Sequence, residues 1–336
     1  MNALPVITII TPSFNQGCYI EDTILSILNQ NYPNLEYIVI DGGSTDNTLE
    51  VIEKYSDKIS YWISEKDCGQ SHAINKGFKR ATGEIINWIN SDDQLMPGTL
   101  YKLAAEFTAD PDLMMLHGRI EYFGETTPYY SVNLTIKELE TRYVSHICMP
   151  QPATFYRRKL LLEQGFLDES LHFSMDADLF VRAGLNYKIQ MTDEVFARFR
   201  LHAASKSVSS FNKNFLKENA IIFSKTITSL SLIKAIAEMK QLGLYAEPSS
   251  LYKYAKHHFE ENKMIFYFLG HRLSTLYFHG QRDEFKRIFR FLLQKHTLLL
   301  LREIKLWVYR FSLVLPSGVL HMISKCKNVS SYKAPK

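Results

Sequence analysis

The first 125 residues alternate between short apolar runs rich in β-branched side chains and segments whose apolar residues have helical spacing. Strand-like runs occupy residues 6–11, 35–40, 59–64, 84–89 and 113–120, and helix-like segments lie between them at 19–30, 47–55, 70–82 and 97–107. This alternation predicts an α/β fold with a mostly parallel sheet and helices on both faces. Ligands of such sheets bind beyond the carboxyl ends of the strands, so the residues after each strand are the first candidates for a site.

The chain changes character at about residue 210. Strand-like runs end there, and long helical patterns follow, for example at 219–244 and 283–311. Residues 1–210 hold 18 Lys and Arg against 27 Asp and Glu, a net charge of −9, whereas residues 211–336 hold 21 against 8, a net charge of +13. We predict an α/β domain at 1–210 and a basic, aromatic-rich helical region at 211–336. That region either rests on an anionic membrane surface or packs on the first domain.

Cysteines and apolar stretches narrow the class of protein. The four cysteines form no CxxC pair and predict neither a disulfide framework nor a zinc site, which fits a reducing cytoplasm: Cys18, Cys68, Cys148 and Cys326. No basic segment precedes the apolar run at the N-terminus, unlike in a secretory signal. The longest uncharged apolar stretch, 311–324, is shorter than the roughly 20 residues of a bilayer span. We therefore predict a cytoplasmic protein without a transmembrane helix, peripheral at the inner face of the plasma membrane if the basic region binds lipid.

Three carboxylates follow two of the predicted strands. Asp41 ends one strand and precedes Gly42 and Gly43, which permit a tight turn, and Asp92 with Asp93 follows another strand. Parallel strands end at a common edge, so we expect these carboxylates to lie close together. A hard divalent cation, Mg²⁺ or Mn²⁺, completed by substrate phosphates, would offset their repulsion. The chain lacks the GxGxxG and GxxxxGK[ST] spacings of dinucleotide-binding and P-loop proteins.

The chain resembles the family 2 glycosyltransferases in four ordered segments: "TIITPSFNQGCYIEDTILSILNQNYPNLEYIVIDGGSTDNT", "DCGQSHAINKGFKRATGEIINWINSDD", "QPATFYRRKLLLEQGFLDESLHFSMDADLFVRA" and "FRLHAASKS". The resemblance implies the Rossmann-like GT-A fold and an enzyme of the bacterial cell-surface polysaccharide type. It also implies a nucleotide-diphospho-sugar donor and a divalent cation. Within the donor site it implies that Asp41 contacts the nucleobase and that Thr11 and Pro12 line the base pocket. Asp92 would lie near the ribose, and Asp93 would bind the metal.

The catalytic base of this family usually lies in an acidic pair that opens a helix, and the corresponding text here is "MDADL". Met175 stands where Glu is frequent, and Asp176 keeps the position of the base. The competing interpretation of Asp176 is a helix N-cap, a position that Asp favours. Asp178 lies on a different helical face and is expected to hold the local structure.

Several basic residues are candidates for contacts with the donor diphosphate. Lys76 and Arg80 lie one helical turn apart. Arg200, His202 and Lys206 lie in a polar segment that in this family can close over the donor phosphates. Solvated surface side chains are the competing interpretation of this group.

The sequence thus predicts an inverting glycosyltransferase that moves a sugar to a hydroxyl of a lipid-linked or growing surface glycan. Asp176 would remove the acceptor proton in a single displacement. A sugar nucleotidyltransferase is the first alternative, although "TPSFNQG" lacks the basic loop expected of one. A non-catalytic nucleotide-sugar-binding protein is the second, and the retention of Asp176 argues against it. No nucleic-acid partner is expected.

Overall fold

The computed structural model describes residues 4–131, 139–146, 149–203, 205, 213–255 and 259–312. The chain divides into two compact units. The sheet unit comprises residues 1–135, 148–209 and 253–255, and the helical unit comprises residues 136–147, 210–252 and 256–336. The helical unit therefore includes a short segment from the middle of the chain, which a single boundary at residue 210 leaves out. Separate functions for the two parts stay a prediction.

Nine strands of the described residues form one mixed sheet in the sheet unit. They are β1 (Ile7–Ser13), β2 (Leu35–Asp41), β3 (Tyr61–Ser64), β4 (Ile85–Trp88), β5 (Gln94–Leu95), β6 (Met115–Gly124), β7 (Tyr129–Tyr130), β8 (Thr154–Arg157) and β9 (Ile189–Leu201). Their order is β3-β2-β1-β4-β8-β6-β9-β5, and β7 pairs with β6. The first four strands in this order are parallel neighbours, and β9 runs parallel to β6. In contrast, β8 runs antiparallel to both β4 and β6, and β5 and β7 pair antiparallel with β9 and β6.

The described helices are α1 (Ile20–Leu28), α2 (Thr48–Lys54), α3 (Gln70–Arg80), α4 (Thr99–Ala109), α5 (Leu139–Ser145), α6 (Arg158–Gln164), α7 (Met175–Asn186), α8 (Lys213–Ser229), α9 (Ile233–Gln241), α10 (Glu261–Phe278), α11 (Arg282–Lys295), α12 (Thr297–Arg302) and α13 (Ile304–Ser312). Helices α5 and α8 to α13 belong to the helical unit. The α/β class predicted from the alternation is confirmed, and every strand and helix predicted in the first 125 residues is present.

Close helix-on-strand packing positions the elements around the central strands. Every residue of β1 is buried, as in a strand that is covered on both faces. Helix α3 lies directly on this strand, because a Cβ atom at Gly77 would lie 2.5 Å from Cγ2 of Ile10. On α1, the apolar residues Ile20, Ile24 and Ile27 are buried together on one face, as the helical spacing predicts.

The helical unit has an aromatic core with buried polar pairs. The rings of Phe223 and Phe268 stack with their centroids 4.1 Å apart. Nε2 of His296 lies 2.7 Å from Oε2 of Glu238 between α11 and α9. Among the described residues, no helix combines the length and apolar character needed to cross a bilayer.

Candidate active site

Strands β1, β2 and β4 end side by side, which brings the predicted site residues to one edge of the sheet. Ser13 pairs with Asp41 in the β1–β2 register, and Ile10 pairs with Trp88 in the β1–β4 register. The turn after β2 and the loop that follows β4, residues 89–93, therefore flank the end of β1.

Asp41 is fully buried, and the turn that follows it occupies both of its carboxylate oxygens. Oδ2 accepts hydrogen bonds from N–H of Gly43 at 3.0 Å, N–H of Ser44 at 2.9 Å and Oγ of Ser64 at 2.7 Å. Oδ1 accepts a hydrogen bond from Oγ of Ser44. These contacts fix the shape of the turn, which Gly43 enters with a φ of 84°. A direct contact between Asp41 and a nucleobase stays a prediction.

The end of β1 is buried, and its polar side chains are the hydroxyls of Thr11 and Ser13. Oγ1 of Thr11 accepts a hydrogen bond from the hydroxyl of Tyr37 at 3.1 Å, and Pro12 is buried beside it. Oγ of Ser13 is buried without a hydrogen-bond partner. The predicted roles of Thr11 and Pro12 in a base pocket remain predictions.

Asp92 and Asp93 differ sharply in their surroundings. Asp93 is 1% exposed, and its carboxylate accepts hydrogen bonds from N–H of Arg200 at 3.0 Å and Nδ2 of Asn90 at 3.3 Å. Burial, followed by the charge of Asp92, raises the pKa of the Asp93 carboxyl well above its usual range. The Asp92 side chain is 21% exposed, and its Oδ2 lies 3.0 Å from Nε2 of His202. Of the two carboxylates, Asp92 is therefore the more accessible.

The end of β9 is attached to this loop mainly through Arg200. Nε of Arg200 donates to the backbone carbonyl of Asp92 at 3.0 Å, while its N–H donates to Asp93. Nη2 of Arg200 forms an ion pair with Oδ2 of Asp22 on α1 at 2.7 Å. These contacts hold His202, two residues further along the chain, against Asp92.

The Asp92–His202 pair fits one side of a cation site. Oδ2 of Asp92 and Nε2 of His202 lie within hydrogen-bonding distance of each other, and a carboxylate and an imidazole are both side chains that could bind a divalent cation. The His202 ring also lies 4.6 Å from the Tyr19 ring, which limits its rotation. In the described residues no cluster of three or more His, Cys, Asp or Glu side chains could hold a metal by itself. A cation would need further ligands from a bound substrate.

Asp176 lies at the second position of α7, and Ser174 occupies the N-cap. The N-cap interpretation of Asp176 is therefore wrong. Oδ1 of Asp176 accepts a hydrogen bond from N–H of Ala177 at 2.8 Å, and the side chain is half-buried. Burial and, secondarily, the charge of Asp176 raise the pKa of Tyr156 in β8 well above its usual range. Asp176 thus lies close to the strand that borders β4.

Asp178 has the structural surroundings expected of it. Its Oδ2 accepts a hydrogen bond from Nε of Arg182 at 2.8 Å, and both side chains are buried. The same guanidinium donates to three backbone carbonyls in residues 164–166. The pair therefore fastens α7 to the turn after α6.

Lys76 and Arg80, two of the basic residues predicted to contact the donor diphosphate, have different partners in the structure. Lys76 forms an ion pair with Glu65 at 2.7 Å, just after the carboxyl end of β3. Arg80 stacks on Tyr61, the first residue of β3, with its guanidinium carbon 3.5 Å from the ring centroid. Arg80 therefore lies beside the start of β3, away from the carboxyl ends of the strands, which argues against its predicted contact with the diphosphate; that contact stays a prediction. Lys206 lies outside the described residues.

Four of the eight buried polar atoms that lack a hydrogen-bond partner in the described residues belong to segments at this edge: Ser13 Oγ, Gln16 Oε1, Gln151 Oε1 and His202 Nδ1. Gln151, which opens the "QPATFYRR" segment, was not among the predicted site residues, and the structure places it beside the end of β4. Its Nε2 donates to Oδ1 of Asn87 at 3.1 Å and to the carbonyl of Trp88 at 2.7 Å, and its Oε1 is buried without a hydrogen-bond partner. Such atoms are rare in folded proteins, and the four in these segments are available to hydrogen-bond a polar ligand.

Comparison with known proteins identifies the family. The family model described as glycosyl transferase family 2 matches residues 8–180, more than half of the chain. The chain belongs to this family. The segments that carry the match include the turn after β2, the loop after β4 and the start of α7, so the resemblance found in the sequence is confirmed.

Two relatives, one of them also compared by structure, show how far the likeness extends. An uncharacterized glycosyltransferase of Haemophilus influenzae is 37% identical over 122 residues, 35% of this chain and 48% of that protein. The poly(ribitol-phosphate) beta-N-acetylglucosaminyltransferase TarS of Staphylococcus aureus is 29% identical over 188 residues, 53% of this chain and 32% of that protein. A TarS 1–349 crystal structure with UDP-GlcNAc aligns with a TM-score of 0.60 and 18% identity, over 86% of this chain and 81% of that one.

The mannosyltransferase PcManGT of Pyrobaculum calidifontis, solved with GDP-Man and Mn²⁺, aligns with a TM-score of 0.52 and 17% identity, over 92% of this chain and 83% of that one. These structural alignments confirm the predicted GT-A fold. The chain spans about half of the Haemophilus relative and about a third of TarS.

Proposed function

We propose that this family 2 protein is an inverting glycosyltransferase that uses a nucleotide-diphospho-sugar donor and a hydroxyl acceptor. The observation that carries the proposal is the meeting of Asp92 and His202, 3.0 Å apart, at the carboxyl edge of the sheet. A carboxylate and an imidazole from distant parts of the chain meet where α/β proteins bind ligands. The unpartnered polar atoms in the same segments support a polar ligand such as a nucleotide-sugar.

The donor nucleotide would lie across the end of β1, between the turn after β2 and the loop after β4. Thr11, Pro12 and Asp41 shape the surface proposed for the base, and Asp92 would lie near the ribose. The solved relatives carry UDP-GlcNAc in one case and GDP-Man in the other, so both donors belong in a first panel. The TarS sequence match makes UDP-GlcNAc the first donor to test.

We propose Asp92 and His202 as the protein ligands of a divalent cation, in place of the predicted Asp93. Asp93 is buried and already accepts hydrogen bonds from Arg200 and Asn90, so it would support the loop instead. When bound, the cation would stabilise negative charge on the departing nucleoside diphosphate. An imidazole ligand favours Mn²⁺ over Mg²⁺, which prefers oxygen. Arg200, Lys76 and Lys206 remain proposed contacts of the diphosphate.

Asp176 is the proposed general base. It lies in the first turn of α7, half-buried and close to Tyr156 of β8. In the proposed step, Asp176 takes the proton of the acceptor hydroxyl while the oxygen bonds to the anomeric carbon. The bond from that carbon to the diphosphate oxygen breaks, and the nucleoside diphosphate leaves with the bonding electrons. One displacement inverts the anomeric carbon.

The proposed acceptor is a lipid-linked or growing surface glycan. A lipid-linked acceptor would require a cytoplasmic enzyme to work at the inner face of the membrane. The net charge of +13 in residues 211–336 supports contact with that anionic surface.

Release of nucleoside diphosphate from a panel of nucleotide-sugars, with Mn²⁺ and with glycan and lipid-linked acceptors, tests the proposal. Asp92→Asn and His202→Asn are expected to lose metal-dependent release while remaining folded. Release of pyrophosphate from a nucleoside triphosphate and a sugar phosphate would instead support a nucleotidyltransferase. Donor binding without release under any acceptor condition would support a non-catalytic binding protein.

A further inference from the structure

The corner between α11 and α12 in the helical unit exposes three leucines. Leu298 is 79% exposed, Leu301 is 58% exposed and Leu293 is 41% exposed. We call these three residues the leucine corner. Leu298 and Leu301 are three positions apart on α12 and share one face of that helix.

The leucines are exposed although the corner itself is well anchored. Leu292 and Leu300 are fully buried, so one side of each helix packs into the core. His296, the residue between the two helices, is buried and contacts Glu238 at 2.7 Å. Nε1 of Trp307 donates to the carbonyl of Leu300 at 3.1 Å. The corner therefore has a defined shape, and its exposed leucines are not a consequence of loose packing.

Unpaired cations surround the leucine corner. Arg290, Lys295 and Arg302 are exposed, and none of them forms an ion pair with a described residue. From Arg290 to Arg302 the sequence contains no Asp or Glu. Exposed aliphatic side chains bordered by free cations are typical of a surface that enters the interface of an anionic bilayer. Nucleic acid would instead call for aromatic or amide side chains that stack on bases or read them.

We propose that the leucine corner is a membrane attachment site for anionic phospholipid. The leucines enter the boundary between headgroups and acyl chains, and the three cations contact the headgroup phosphates. This inference rests on the proposed function in one respect: membrane attachment would bring the enzyme to a lipid-linked acceptor. Binding to lipid itself requires neither donor nor metal.

Co-sedimentation of the full chain with vesicles of phosphatidylglycerol and phosphatidylcholine tests the proposal. The double variant Leu298→Ser, Leu301→Ser should lower the affinity by at least about tenfold, since two aliphatic side chains leave the interface. Lys295→Gln with Arg302→Gln should lower it by about 25-fold, or about fivefold for each cation. Leu162→Ser is the matched control, because Leu162 is 59% exposed on α6 of the sheet unit and should have no effect.

Three results would overturn the proposal. The first is equal vesicle binding by the leucine variant and the Leu162→Ser control. The second is a change from dimer to monomer in the leucine variant without lipid, which would assign the corner to a second copy of the chain. The third is a lower unfolding temperature of that variant without lipid, which would mean that the chain itself covers the leucines.

Donor binding by calorimetry separates failure of this proposal from failure of the proposed function. An enzyme that binds and turns over nucleotide-sugar but ignores anionic vesicles would refute the leucine corner alone. A protein that binds vesicles through the corner but never releases nucleoside diphosphate would refute the transferase alone.

Discussion

Two aspartates in the first turn of α7 are expected to respond in opposite ways to the same substitution. Asp176→Asn and Asp178→Asn each remove one charge and keep the size of the side chain. Asp176 is half-buried and accepts a hydrogen bond from N–H of Ala177, whereas Asp178 holds a buried guanidinium. The pair of variants therefore separates a catalytic carboxylate from a structural one with a minimal chemical change.

The expected loss of stability in each variant follows from the burial of the aspartate and its partner. The Asp178 and Arg182 side chains are 3% and 9% exposed, and breaking such a pair leaves a buried unpaired charge, at a cost of about 3–5 kcal/mol. Three backbone carbonyls still accept from Arg182, so we expect the lower value, about 3 kcal/mol. In a domain of this size that corresponds to a fall in Tm of about 6–12 °C. Asp176→Asn should cost less stability than Asp178→Asn, because the Asp176 side chain is only half-buried, whereas Asp178 pairs with a buried guanidinium.

The assay compares thermal unfolding with release of nucleoside diphosphate at saturating donor. Asp176→Asn should bind donor as the wild type does and lower transfer by at least about 100-fold, the low end of what a general base contributes. Asp178→Asn should keep its specific activity at temperatures where it is folded. An unstable Asp176→Asn protein with normal specific activity would refute the assignment of the base. Loss of donor binding would place the residue on the donor side of the reaction.

Three further predictions concern the site and the core. His202→Ala should abolish calorimetric Mn²⁺ binding in the presence of nucleoside diphosphate while the protein stays folded, and an unaltered Mn²⁺ affinity would remove this residue from the cation site. Asp22→Asn should weaken donor binding about two- to fivefold, because a partly exposed ion pair with Arg200 contributes about 0.5–1 kcal/mol. Glu21→Gln, which breaks a surface ion pair on the same helix, should have no effect, and equal losses in both variants would refute a specific role for Asp22. Burial lowers the pKa of His117 to about 3 from 6.5, so its contribution to stability is complete above pH 6.5 and is lost as the pH falls. The loss at pH 5 should be about 2 kcal/mol in urea unfolding, and a His117→Gln variant with the same pH dependence would contradict this reasoning.

The local sequence pattern predicts those strands and helices whose buried residues repeat regularly along the chain. Strand β1 reads as an unbroken β-branched run because both of its faces are covered, and α1 shows its buried face as Ile20, Ile24 and Ile27. The carboxylates after β2 and β4 could be placed at one edge because parallel strands share their direction. The direction of β8 could not be predicted, since an isolated strand of four residues carries no signal for its partners.

The remaining differences depend on contacts between distant segments. Asp92 is more exposed than Asp93 because the backbone N–H of Arg200, 107 positions after Asp93, donates a hydrogen bond to the carboxylate of Asp93. Arg80 shares a helical face with Lys76, but the 11 residues of α3 span about 16 Å, which takes its end to the other edge of the sheet. Helix α5 belongs to the helical unit although the sequence around it reads as part of the sheet unit.

The proposed ligand site needs strand β9, the last strand of the sheet, because Arg200 on β9 contacts Asp92 and Asp93. The family match ends at residue 180, whereas β9 begins at Ile189 and carries Arg200 towards Asp22, 178 positions earlier in the chain. A fragment trimmed to the family match would keep Asp41, Asp92 and Asp176 but would leave an edge of β6 uncovered and the loop after β4 unsupported. During synthesis from the N-terminus, the first strands are made long before β9. Protection of the chain from protease by nucleotide-sugar should therefore begin only after residue 202 has joined the sheet unit.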